Sequence, residues 1–276
     1  MPSPWIRCAV RPSRPSLHQA VSAAIFAAGA QGVHEDGDWL VTHFERAGEV
    51  SGLQAAVRAA DAHATIEALP TESVDWSVAW RDGMPVHAVG RLTVAPPWLV
   101  NEQNRATTVI VDPGMAFGTG DHPTTRGVIR LMQRVIRTGD TVADLGCGSA
   151  VLAIAAAKLG AARVAAIELD HDAISNAEEN VVLNDAGACV TVLEGDARIM
   201  LPLVGPVRVV LANIVSSVLV ELLPVMSRSL TSDGVAILSG ILSDERERMT
   251  WMLGLKGWRI LHEDREDPWW SVCIAS

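Results

Sequence analysis

Residues Thr141 to Glu168, TVADLGCGSAVLAIAAAKLGAARVAAIE, constrain the fold of this chain more than any other stretch. A buried-type strand leads into a Gly-rich turn, an Ala-rich helix follows, and a second buried-type strand ends in an acid. That layout builds a nucleotide-type cofactor site. A dinucleotide fingerprint uses three glycines and sets a pyrophosphate on the helix N-terminus. Here the turn reads Gly146-Cys147-Gly148-Ser149-Ala150-Val151, so Val151 stands where the third glycine belongs. Asp144 places a carboxylate just ahead of the turn, where an anion would be repelled and a cation welcomed. S-adenosylmethionine (SAM) supplies an ammonium group and a sulfonium centre. Glu168 lies 20 residues after Gly148, where an acid can accept hydrogen bonds from a ribose diol. The residues alone leave open a different adenosine-type ligand, or turn chemistry in which Asp144 caps the turn and Glu168 is a solvated strand end.

The regions on either side extend the pattern. From Thr107 onward, apolar strands alternate with helical segments: TTVIV, a helix from Pro123 to Arg137, TVADL, a helix from Ser149 to Lys158, RVAAIE, the HDAISNAEENVVLNDAG helix and VTVLE. VRVVLAN, the SSVLVELLPVMSRSL helix, GVAILSG, the SDERERMTWMLGLKG helix, GWRILHED and WWSVCIA complete the run. Such an alternation predicts a parallel sheet covered on both faces. The last two strands are joined only by Arg265 to Pro268, too short for a crossover, so they must pair antiparallel. Residues 1–69 read as strand, helix, hairpin, helix and strand, an α+β sandwich like the ferredoxin fold, with Ser16 capping its first helix and Gly29 ending it. Residues 70–106 read as a linker and a covering hairpin, with Trp76 and Trp80 sharing a helical face.

Composition restricts partners and setting. The formal charge of −10 weighs against broad electrostatic binding of nucleic acid, and no nucleic-acid specificity is expected. No segment runs 18 apolar residues without interruption, and the N-terminus lacks an apolar stretch suited to a signal peptide. A cytoplasmic chain with no membrane association is expected. Cys8, Cys147, Cys189 and Cys273 form no CxxC or Cys/His cluster, which argues against a metal site and a disulfide framework.

Between TTVIV and its helix lies VDPGMAFGTGDHPTTR, where Gly114, Gly118 and Gly120 free the backbone to wrap a ligand and Thr119, Asp121, His122, Thr124 and Thr125 line the rim. DPGMAFGTGDHPTT, followed by DLGCGSA, AAIELD, LANI at Leu211 to Ile214 and LSGIL at Leu238 to Leu242, resembles the PrmA family, methyltransferases of large-subunit ribosomal protein L11. The likeness spans about residues 74–276, while the first 69 share only size and element order with the family's substrate-recognition domain. It implies the mostly parallel Rossmann-like sheet of class I SAM methyltransferases with an antiparallel last strand, SAM as cofactor, and the ribosomal protein, free or on the ribosome, as partner. It further implies a division into a recognition domain at 1–69, a linker and covering segment at 70–106, and a catalytic domain at 107–276.

The same resemblance carries roles across to individual positions. Asp144, Gly146 and Gly148 would line the methionine side of SAM and Glu168 the ribose, while Asp196 and Ala197 of EGDA would sit by the adenine. Thr119 and Gly120 would close over the cofactor, and Asn213 would face the amine. Ala150 departs from the family's GCGSG, and Asp121 replaces a residue commonly Thr or small. His122, the one histidine of the ligand loop, is the candidate proton acceptor, or else it orients the start of a helix. The reaction expected is N-methylation of lysine or α-amino groups of L11. The rivals are a related protein-lysine methyltransferase with another target and a non-catalytic SAM-binding module.

Overall fold

The computed structural model describes residues 6–30, 33–44, 47–70, 85–100, 102–112 and 120–276. Trp76, Trp80 and most of the expected linker lie outside the described residues. Two compact units emerge, Met1–Gly83 and Met84–Ser276. None of the described helices is long and apolar enough to cross a membrane.

The first unit runs β1 (Ile6–Arg11), α1 (His18–Ala27), β2 (His34–Asp36), β3 (Trp39–Phe44), α2 (Ala47–Ala60) and β4 (Thr65–Pro70). Its sheet has the order β2-β3-β1-β4 with every pairing antiparallel. This is the ferredoxin-like arrangement that the element order suggested. Strand side chains alternate in direction, so Cys8 and Val10 of β1 meet Leu40 and Phe44 of β3 in one core with Val21, Ile25, Leu53 and Val57 of the helices. Each large aliphatic side chain buried there contributes roughly 1.5–3 kcal/mol. Ser16 does not cap α1. It sits in a single 3-10 turn, Pro15–Leu17, which extends the entry, so the helix begins at His18 with no side-chain cap. Gly29 does close it, donating its N–H to the Phe26 carbonyl.

The second unit contains a sheet of seven strands: β8 (Thr141–Leu145), β9 (Arg163–Glu168), β10 (Val190–Glu194), β11 (Val207–Asn213), β12 (Leu230–Leu242), β13 (Arg259–Glu266) and β14 (Trp269–Ala275). Their order is β10-β9-β8-β11-β12-β14-β13. The first five pair in parallel, and β14 runs antiparallel to both its neighbours. Antiparallel pairing of the last two strands follows from their short connection, which is two residues shorter than expected because β13 continues to Glu266. Three helices, α3 (Pro123–Val135), α4 (Val151–Lys158) and α5 (His171–Leu183), pack on one face. Three more, α6 (Ala197–Val204), α7 (Ser216–Ser229) and α8 (Arg246–Leu255), cover the other. The α6 helix is absent from the sequence-derived order. It is only eight residues long and holds Pro202, which obscures a helical reading.

The TTVIV segment departs from expectation. Thr108–Ile110 forms β7, which joins not the large sheet but a small one made with the hairpin of β5 (His87–Val89) and β6 (Leu92–Ala95). Its amide and carbonyl at Ile110 are satisfied by the Asn184 side chain at the end of α5, so that edge needs no further strand.

From β8 the chain proceeds one way to β9 and β10 and the other way to β11 and β12. That reversal opens a crevice at the carboxyl ends of β8 and β11, where ligands of open α/β sheets bind. Beneath the opposite end, Arg208 and Asp140 form a buried ion pair at 2.7 Å; Asp140 also accepts the Arg137 N–H, and Arg208 donates to the Val135 carbonyl. Arg208→Met strands the Asp140 carboxylate without its cation and should cost about 3–5 kcal/mol in equilibrium urea unfolding. A loss below about 1 kcal/mol would show that the pair is dispensable.

Candidate active site

The crevice is a cavity of about 690 Å³. Its walls combine strand ends, the loops that follow them and helix N-termini: Gly146 after β8, Glu168 and Leu169 at β9, Gly195 to Arg198 after β10, Asn213 to Val215 after β11, and Gly240 within β12. His122, Thr124 and Trp269 close another side. Of the residues singled out from sequence, His122, Gly146, Glu168, Asp196, Ala197 and Asn213 line this one space. Asp144, Gly148 and Gly120 stand outside the lining. Thr119, with Gly114 and Gly118, lies outside the described residues.

The turn after β8 is held to the next strand. Gly146 and Cys147 both donate their N–H groups to the Ile167 carbonyl, at 2.8 and 3.1 Å. Gly146 has φ +69°, and a Cβ there would come within 2.7 Å of the Ile214 side chain, so both conformation and space require glycine. Glu168 then ties the far side of the turn: one carboxylate oxygen accepts the Gly148 N–H at 2.8 Å, and the other accepts those of Leu169 and Asp170. The acid expected to meet a ribose is therefore already oriented by three backbone donors. Ala150 adopts φ 64°, a left-handed conformation that costs an L-residue roughly 1–2 kcal/mol. Its departure from glycine bears on backbone strain, beyond the extra methyl group.

Asp144 sits one layer behind the lining. Alternation along β8 turns Val142 and Asp144 toward the α4 face and Ala143 and Leu145 toward the other. The Asp144 side chain is 1% exposed, and neither carboxylate oxygen has a hydrogen-bond partner. Burial pushes its pKa up to about 7 against the opposing effect of the Ala153 backbone N–H, and the nearby Glu168 charge adds to the rise. A buried acid without donors is costly unless something cationic or hydrogen-bonding arrives. Cys147 is also buried, and its thiol is pushed well above the usual range by burial first and by the two acids second, so it is no nucleophile.

Across the cavity, Asp196 caps α6 through the Arg198 N–H at 2.8 Å. The Arg198 guanidinium grips the same carboxylate at 2.5–3.0 Å and reaches toward Glu221 of α7 at 3.8 Å. That side-chain bond holds the Asp196 carboxyl below its ordinary pKa. Sequence reading missed Arg198, although its place two residues after an N-cap acid was a usable signal.

On the remaining side, Asn213 at the end of β11 donates to Thr125 Oγ1 at 3.4 Å. His122 is the N-cap of α3: its Nδ1 lies 2.7 Å from Thr124 Oγ1 and faces the Thr124 N–H at 3.4 Å, while Trp269 packs edge-on at 4.9 Å between ring centroids. Burial, followed by the Arg126 charge, lowers the His122 pKa, with Asp121 and Glu266 opposing, so the ring is neutral at pH 7. The helix-orienting role anticipated for it is thus present in the geometry. Arg126 binds Glu266 and the Asp121 carbonyl, and Arg130 binds Asp264 and Glu266, fixing α3 to β13. Gly120, at φ +83°, packs so tightly on Val94 that a Cβ would lie 2.3 Å from it. The Asp121 carboxylate lies 2.9 Å from His87 Nε2. Among the described residues no group of three His, Cys, Asp or Glu side chains is placed to hold a metal ion.

Residues 18–276 match the family model of ribosomal protein L11 methyltransferase (PrmA). The chain is 40% identical over 205 residues to a ribosomal protein L11 methyltransferase of Synechococcus sp. (strain RCC307), covering 72% of this chain and 68% of the relative. It is 38% identical over 218 residues to the one from Desulforamulus reducens, covering 78% and 70%. Other relatives of the same name are matched over somewhat less than two thirds of their length, 62% in Thiobacillus denitrificans. The crystal structure of a ribosomal protein L11 methylase from Lactobacillus delbrueckii subsp. bulgaricus superposes with a TM-score of 0.61 at 30% identity, covering 70% of this chain and 98% of that one.

The raised pKa of Asp144 has a consequence for stability independent of any ligand. Because the folded value of about 7 exceeds the unfolded value near 3.9, the native state holds a proton that the unfolded chain has lost between those limits. Stability from this group is complete below about pH 4 and disappears as pH rises through 7. Asp144→Asn should therefore flatten the fall in melting temperature between about pH 4 and about pH 7. An unchanged pH profile in differential scanning calorimetry would refute the assignment.

Proposed function

Since the chain belongs to the ribosomal protein L11 methyltransferase (PrmA) family, we propose that it transfers methyl groups from SAM to lysine side chains or the α-amino group of ribosomal protein L11, working in the cytoplasm. The observation that carries this reading is the pair of carboxylates at the ends of adjacent parallel strands. Asp144 is buried with two unpartnered oxygens, and Glu168 is pre-oriented at the rim of a cavity large enough for a nucleoside-sized ligand. The donor set suits a cationic, ribose-bearing molecule and opposes a pyrophosphate.

When bound, SAM supplies an already activated methyl group on a sulfonium centre. The chain's own residues then have two tasks: to position and to exclude water. Asp144 offers negative charge on the turn side, Glu168 accepts from the sugar, and Asp196 with Ala197 borders the base, all as proposed roles. Leu169, Val215, Val218 and Leu222 give the cavity apolar walls. A lysine amine must enter neutral to attack, and transfer from water into such walls lowers its pKa from about 10.4. The Asn213 side chain, braced by Thr125, can accept an amine N–H and aim the lone pair, while His122 is the proposed proton acceptor. The ferredoxin-like unit, whose sheet and core are complete in themselves, is the proposed recognition domain for the protein substrate, whether free or on the ribosome.

Intact-mass analysis of L11 incubated with the protein and SAM should show mass added in whole methyl increments. No added mass on L11, with methylation of another protein, would replace the target; SAM binding without turnover on any amine would reduce the chain to a binding module. Asn213→Ala should lower turnover about a hundredfold while SAM affinity stays within about twofold. Glu168→Ala should instead weaken SAM about ten- to a hundredfold, because charged hydrogen bonds are lost and the turn is released. Normal turnover by Asn213→Ala would place the amine elsewhere.

A further inference from the structure

The α5 helix carries asparagines at 176, 180 and 184, four residues apart and therefore on one face. Two of them are shut away from water, and Asn176 is half-buried. Asn180 is 0% exposed and Asn184 is buried. Asn184 accepts the Ile110 N–H at 2.9 Å and donates to the Ile110 carbonyl at 2.6 Å. Asn180 repeats the pattern one turn earlier: it accepts the Asp112 N–H at 2.8 Å and donates at 3.1 Å to the Asp112 carbonyl, which also receives the Asn176 amide at 3.1 Å. The match is geometric. Four helical residues rise about 6 Å, and two strand residues span about 6.6 Å, so a helix can present amides in register with alternate residues of an extended chain. The side-chain amides thus replace a neighbouring strand.

Asn180 does one thing that Asn184 does not. Its second N–H donates at 3.1 Å to the carbonyl of Ser149, inside the Gly-rich turn after β8. Both of its N–H groups and its carbonyl are engaged, without solvent. One buried side chain therefore joins the turn proposed to hold the donor to Asp112, two residues beyond the end of β7. Asn184 makes its remaining bond to its own helix, at the Asn180 carbonyl.

We propose that Asn180 is a positioning residue that couples the cofactor turn to the strand end at Asp112, so that grip on the methyl donor and placement of that strand end are one interaction. The proposal rests on the SAM reading above. Coupling is reciprocal: whatever tightens the turn must also tighten the Asp112 anchor. In a buried network such an interaction is carried by hydrogen bonds that cannot be exchanged for water.

Two variants and one wild-type measurement test it on the full chain. Asn180→Asp keeps shape and acceptors but cannot donate to the Asp112 and Ser149 carbonyls, and Asn184→Asp makes the same change one turn away. Both should melt at lower temperature. By calorimetry, Asn180→Asp should bind SAM about tenfold or more weakly, whereas Asn184→Asp should stay within about twofold of wild type. Equal SAM affinities in the two variants would overturn the proposal by making Asn180 merely structural. Should Asn180→Asp not fold, hydrogen exchange on the wild type decides: SAM should slow exchange of the Asp112 amide about tenfold, and an unchanged rate there would overturn the coupling. A wild-type protein that takes up no SAM would instead remove the donor reading, and the coupling with it.

Discussion

An acid held out of water at the end of a central strand is the constraint on which the rest of this site depends. Neither Asp144 oxygen makes a well-formed hydrogen bond, although the Ala153 backbone N–H favours its charged form, and a second carboxylate, Glu168, ends the neighbouring strand. In the poorly solvated crevice the Glu168 charge adds to the cost of ionising Asp144, and backbone donors converge on Glu168. Glu168 receives three backbone N–H groups, whereas Asp144 is offset only by the Ala153 backbone N–H at the start of α4. The imbalance is stored where the sheet reverses its order, so a ligand that brings positive charge there releases an unfavourable interaction as it binds.

The surrounding architecture keeps that imbalance in place. The turn cannot relax away, because Gly146 and Cys147 are bonded to β9 and Gly146 is wedged against Ile214. The α3 helix cannot drift, because Arg126 and Arg130 hold it to β13 and the Ser239 hydroxyl donates to the Thr124 carbonyl beneath it. Asn213, His122, Asp196 and Arg198 all line the same cavity. The proposed donor and amine roles fall on different strands, which is why substitutions on the two sides should separate binding from turnover.

Much of this was legible from residues alone, for physical reasons. Strands β8, β9 and β11 are mostly apolar because both faces are covered, and the acids and Asn213 stand out as the polar residues at or near their carboxyl ends. The ferredoxin-like order showed itself through clean alternation of strand and helix segments. Other features depended on partners distant in sequence. TTVIV looks like any core strand, yet its place in the small sheet is decided by Leu92 to Ala95 on one side and by Asn184 on the other. The α6 helix is short and interrupted by Pro202, and only its cap Asp196 announced it. The asparagine face of α5 reads as a solvated surface until the strand it completes is known. Asp144 was expected to touch the ligand cavity directly, but strand alternation turns it under α4, a layer behind the lining.

Titration calorimetry of the purified protein with SAM across neutral pH tests the central claim most directly. Affinity should rise as pH increases through about 7, where Asp144 loses its proton, and Asp144→Asn should bind more weakly with no such rise. No uptake of SAM at any pH, or uptake of a nicotinamide dinucleotide in its place, would contradict the account.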